Sequence, residues 1–172
     1  EFPDNYFTLV NHRFGLSWIR TWDWRKLLQE YRRVTRPGGV IRITEGDTVT
    51  ESSSPALARL NQLSLQALVN AGHFFQQASD GLTSQLAHLL DRHGLENVQT
   101  RVYTVEFRAG TAQGQLFIKD MEHLYRTITP FLRKWSLMPD DYENIYQQML
   151  CEMQEPDFLA KSRYLTAWGV KS

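Results

Sequence analysis

The apolar positions follow two different periods. Phe7-Thr8-Leu9-Val10 is a short, nearly continuous apolar run after the turn-like Pro3-Asp4-Asn5, and it reads as a strand buried on both faces. From Trp24 to Val34 the period lengthens. Leu27, Leu28, Tyr31 and Val34 stand at i, i+1, i+4 and i+7, which predicts a helix with Asp23 as its cap. Arg32, Arg33 and Arg36 crowd the end of that helix, where cations suit its dipole. Pro37-Gly38-Gly39 stops it, and Val40 to Thr44 forms a second strand. About 30 residues separate the two strand starts, a spacing that fits a parallel strand–helix–strand crossover.

Beyond Glu45 the chain is polar and Ser-rich up to Ser54. Ser52-Ser53-Ser54-Pro55 then predicts a helix start, with Ser as N-cap and Pro in the first position, running to about Gln77. Its leucines spread over more than one face, which suits burial on two sides. A helix from Thr83 or Ser84 to His93 ends at Gly94. Val98 to Phe107, rich in Val, Thr, Tyr and Phe, reads as a strand. Phe117, Met121, Leu124, Ile128, Phe131 and Trp135 make one helical stripe, which Pro130 kinks or ends. Asp140 or Asp141 starts another helix reaching Met153, and Arg163 to Val170 alternates as a final strand.

Composition narrows the class. A length of 172 residues is that of about one domain. Nineteen basic residues balance nineteen acidic ones, which argues against a nucleic-acid partner that would require a basic face. No apolar run is long enough for a membrane span. A single cysteine, Cys151, excludes an internal disulfide framework, and no metal-ligand motif is present. A soluble, cytoplasmic domain is the expectation.

Two stretches read together are more specific than either alone: Phe2-Pro3-Asp4-Asn5-Tyr6-Phe7-Thr8-Leu9-Val10-Asn11-His12-Arg13-Phe14, and Arg33-Val34-Thr35-Arg36-Pro37-Gly38-Gly39 leading into Val40-Ile41-Arg42-Ile43-Thr44-Glu45. Together they resemble the second half of the class I S-adenosylmethionine-dependent methyltransferases. Thr8 stands where that family often has Asp, and Thr35-Arg36 where it usually has Leu-Lys. The resemblance is clear over residues 2–45. It implies an α/β fold, the C-terminal half of a Rossmann-like sheet. The four predicted strands would take the family's places 4-5-7-6, with the last strand antiparallel.

On that reading residues 1–47 are core, 48–80 and 111–160 are helical lid insertions, and 81–110 and 161–172 return to the core. The family's Gly-rich turn after its first strand has no counterpart before Phe7. The expectation is therefore a partial domain, inactive alone, whose first strand exposes an edge able to pair with a second copy.

Ligands in open α/β sheets bind beyond the carboxyl ends of the strands. The resemblance thus implies S-adenosyl-L-methionine contacts at Asn11, His12, Arg13 and Phe14. It implies substrate contacts at Trp18, Glu45, Asp47, Phe74 and Phe117, and general-base candidates at His12, Glu45 and His73. For several there is a plainer reading. His12 and Arg13 could pack the following helix, Asp47 and Glu45 could cap a loop, and His73 could be satisfied by a carbonyl. The implied reaction is methyl transfer to a small apolar or aromatic acceptor. Its rival is a methyltransferase-like interaction module without catalysis. A hydrolase or dehydrogenase is disfavoured, because the chain has neither a Gly-x-Ser-x-Gly elbow nor Gly-x-Gly-x-x-Gly after a strand.

Overall fold

A computed structural model describes residues 2–172. The chain opens with β1 (Phe7–Arg13), α1 (Trp24–Val34) and β2 (Thr35–Gly46), and β1 and β2 pair in parallel. Trp24, Leu28 and Val34 are the buried residues of α1, which packs along β2, where Ile41 and Ile43 are also buried. The Pro37-Gly38-Gly39 turn lies within the start of β2. Phe7 pairs with Thr35 and Leu9 with Val40, so residues 36–39 bulge out of the ladder. Gly38 makes this possible with φ +74, a left-handed conformation that costs glycine little.

Asp23 occupies the cap position of α1 without a side-chain bond to the helix. Its carboxylate accepts from the Arg20 N–H instead. The other end of α1 is tied down from a distance. The Lys171 ammonium donates to the carbonyls of Arg32 (2.7 Å) and Thr35 (2.8 Å) and to Asn5 Oδ1 (2.7 Å). A cation there satisfies orphan carbonyls and complements the dipole.

Next come β3 (Glu51–Ser52), α2 (Pro55–Asn70), a 3₁₀ turn at Thr83–Gln85, α3 (Leu86–Arg92) and β4 (Leu95–Arg108). They are followed by α4 (Ala112–Thr127), α5 (Thr129–Lys134), α6 (Tyr142–Glu152) and β5 (Leu159–Lys171). The long stripe predicted over 113–135 is thus two helices, broken before Pro130, which lacks the N–H a continuous helix would use. α2 ends seven residues earlier than Gln77, because Gly72 (φ +81) leads the chain into turns. The bridge β3 was not foreseen in the polar stretch. β2 and β5 are antiparallel, with Ile41 opposite Gly169 and Ile43 opposite Ala167. β3 and β4 also pair with β5. Among the described residues β1 has β2 as its one neighbour, and Leu9 on it is exposed.

The chain divides into two compact units. The first comprises the residues up to Asp47, Ala71–Tyr103 and Tyr164–Ser172; the second comprises Thr48–Asn70 and Thr104–Arg163. The second has its own apolar core, in which Leu57, Leu60, Tyr125, Met149 and Phe158 are buried. The predicted Ser cap of α2 is present: Ser54 Oγ accepts from Leu57 N at 3.0 Å. Glu152, in the last turn of α6, completes it by accepting from Ser54 Oγ (2.6 Å) and Ala56 N (3.0 Å). No described helix is long and apolar enough to cross a membrane.

Candidate functional site

The first unit brings several of the candidate residues together at the carboxyl ends of β1 and β2. The Glu45 carboxylate is the hub. It is 1% exposed, and its Oε1 accepts from the Gly15 N–H (2.6 Å) and from His12 Nε2 (3.0 Å). His12 Nδ1 meets the Tyr31 hydroxyl at 2.8 Å. Burial pushes the Tyr31 pKa up, and the charge of Glu45 adds to the effect, so the phenol keeps its proton. With His12 Nε2–H donating to Glu45 and the imidazole neutral, the Tyr31 O–H donates to His12 Nδ1. Both ring nitrogens of His12 are spent in this arrangement. The Trp24 ring packs edge-on against His12 at 5.6 Å, and its indole N–H is buried with no acceptor.

These bonds shape the loop after β1. Phe14 has φ +58, a conformation that a bulky residue adopts only when its surroundings impose it. Its N–H donates to the Thr44 carbonyl at 3.0 Å, and its ring is 44% exposed, with Tyr164 and the Arg13 guanidinium beside it. Gly15 is a steric requirement, since a Cβ there would collide with the His12 ring and Ile19. The chain then turns, with Trp18 N and Ile19 N donating to Gly15 O.

The segment after α2 holds this loop from the other side. His73, 2% exposed, donates from Nδ1 to the Ile19 carbonyl at 2.8 Å, and Arg20 donates to the Ala71 carbonyl at 2.7 Å. His73 is therefore satisfied by a carbonyl, and no side of its ring faces open solvent. Phe74 is buried next to it. Asp47 accepts from the Thr83 hydroxyl.

The other candidates lie more openly or elsewhere. Asn11 and Arg13 are exposed at the end of β1, with Asn11 Oδ1 accepting from Arg42 Nε at 2.8 Å. Trp18 is 67% exposed. Phe117 belongs to the second unit, stacked on Phe107 at 4.5 Å inside its core. Sequence reasoning missed Tyr31 and Gly15. Tyr31 carried a signal, a phenol on the apolar stripe of α1, where a buried hydroxyl needs a partner. Among the described residues no His, Cys, Asp and Glu side chains are grouped to hold a metal ion.

Residues 1–43 match the model of a methyltransferase-domain family. No curated protein shows a significant sequence match. A structure named for a type II methyltransferase from Anaeromyxobacter dehalogenans is 16% identical with a TM-score of 0.53, covering 98% of this chain and 66% of its own. Phosphoethanolamine N-methyltransferase 2 of Haemonchus contortus, solved with phosphomonomethylethanolamine and S-adenosylhomocysteine, is 18% identical with a TM-score of 0.45. The alignment covers 99% of this chain but 34% of the Haemonchus chain. The fold is that of the class I S-adenosylmethionine-dependent methyltransferases, of which this chain holds a part.

Proposed function

We propose that this chain forms the acceptor side, and part of the donor side, of an S-adenosylmethionine-dependent methyltransferase acting on a small apolar or aromatic molecule. The observation that carries this reading is the clamped loop at the end of β1, where Glu45 binds His12 and the Gly15 N–H, and Phe14 stands at φ +58, a conformation it would not adopt freely. Such enforced backbone at the carboxyl edge of a parallel strand pair is where ligands of open α/β sheets bind.

The residues at this edge fit one side of the donor. Phe14 offers an exposed ring, and Asn11 and Arg13 offer exposed polar groups. No Gly-rich strand-to-helix turn stands among residues 2–172. In this proposal such a turn comes from a segment pairing with the open edge of β1. The donor supplies an activated methyl group on a sulfonium sulfur. This chain's residues orient the reactants and exclude water, the usual large terms for such a displacement. His12 and Glu45 act as positioning residues, because their nitrogens and buried oxygen already serve the clamp. His73 likewise braces the loop.

A second reading, an interaction module, draws on the same missing turn. Calorimetric titration of the full-length protein with S-adenosylhomocysteine separates the two. Saturable binding weakened by Phe14→Ala supports the methyltransferase; no heat of binding removes it.

A further inference from the structure

The second feature of the first unit is a groove of about 650 Å³ between α1 and α3. Its walls carry Arg25 and Arg32 from α1, and Arg92 and His93 from the end of α3, with no acidic residue among its lining. Arg25, Gln29 and Arg32 follow the 4-then-3 spacing that places them on one face of the helix. Gly94, with φ +75, leaves the space that the Arg32 guanidinium occupies: a Cβ there would stand 3.0 Å from Arg32 Nη1.

Some arginines elsewhere form ion pairs, while others, among them Arg36, Arg101 and Arg133, form none among the described residues. Arg33 bonds Glu30 and Asp4, Arg59 bonds Asp141, and Arg126 bonds Glu122. Arg25, Arg32 and Arg92 have no ion-pair partner among the described residues. Helix dipoles account for Arg32 and Arg92, which stand in the last turns of their helices. They do not account for Arg25, which lies in the first turn of α1, where a cation meets the positive end of the dipole.

We propose that this groove binds a small soluble molecule carrying at least two phosphate groups. Guanidinium forks grip phosphate oxygens in pairs. Arg25 and Arg32 stand about 10 Å apart along the helix at 1.5 Å per residue, which suits separate anionic groups on one ligand. The groove volume lies within the range of small-ligand sites, roughly 300–1,000 Å³. This site is independent of the methyl-transfer reading.

The test is calorimetric titration of the chain with inorganic pyrophosphate, with sodium chloride holding ionic strength constant. One saturable site is expected. The triple variant Arg25→Gln, Arg32→Gln, Arg92→Gln weakens it by about a hundredfold or more, since each charge-assisted bond contributes roughly tenfold. A control losing the same charge at exposed positions elsewhere, Arg36→Gln, Arg101→Gln, Arg133→Gln, binds within about twofold of the parent. Circular dichroism checks the fold; if the triple variant fails it, Arg25→Gln alone is read, with about a tenfold loss expected. Equal weakening in the control overturns the proposal, as does absence of saturation. Binding of anionic lipid vesicles or an RNA oligomer without pyrophosphate binding also overturns it, in favour of a macromolecular surface.

Discussion

Glu45 and Gly15 are thirty residues apart in sequence and 2.6 Å apart across one hydrogen bond. The same carboxylate oxygen takes His12, so a single buried group at the end of β2 sets the path of the chain leaving β1. A carboxylate at 1% exposure stands only because donors surround it. Glu45→Ala strands the Gly15 N–H and the His12 ring, and an unfolding free-energy loss of about 2–4 kcal/mol is expected in urea denaturation. A change below about 0.5 kcal/mol would mean that the network carries no weight.

Gly15→Ala attacks the same point by steric means. The added methyl would fall on the His12 ring and the Ile19 side chain, so about 1–3 kcal/mol of destabilisation is expected. Trimming the obstacle should return part of it: the Gly15→Ala, His12→Ala double variant should be more stable than the sum of the single changes predicts. Strict additivity in this cycle would contradict the contact.

The α2 start gives a pH signature. Burial tends to raise the Glu152 pKa, but hydrogen bonds from the Ser54 hydroxyl, the Ala56 N–H and Gln148 outweigh it and hold the carboxyl below its usual 4.5. A depressed carboxyl pKa contributes stability that is complete above the unfolded value and is lost as pH falls through the folded one. The gap in urea midpoint between the parent and Glu152→Gln should therefore be full near neutrality and shrink below about pH 4.5. Ser54→Ala should cost about 1–2 kcal/mol at neutral pH by the same measurement.

Lys171 offers a test at the other end of the chain. Its ammonium holds two carbonyls at the close of α1. Lys171→Met keeps most of the stem and removes the donors, so about 1–2 kcal/mol should be lost. Hydrogen exchange should locate the added opening in the last turn of α1. Uniform exchange changes over both units would speak against a local clasp.

Local pattern revealed the elements where one period ruled. The apolar stripe of α1 and the Ser-Pro start of α2 read directly, and so did the alternation of β5, although that strand runs longer than the alternation alone implied. It misled where a residue served a distant partner. Asp23 looks like a cap but bonds Arg20, and Pro37-Gly38-Gly39 looks like a stop yet sits inside a bulged ladder. The site was legible by address and not by wiring. The strand-end rule pointed to Asn11–Phe14 and Glu45, but no spacing rule joins His12 to a carboxylate 33 residues on, or to Tyr31 on the intervening helix. Such pairs are set by sheet register and helix packing, which exist only once the chain has folded.

The division into units carries a consequence for synthesis. Each unit is assembled from separated stretches of chain, and both draw on β5, which follows every other element. Neither can close while β5 is unmade, so a growing chain has no independent folding step to take early. The clasp of Lys171 on α1 and the cap of Glu152 on α2 have the same character, each joining an early helix to a late residue. Emergence of β5 from the ribosome, more than any earlier stage of elongation, is the step on which this structure waits.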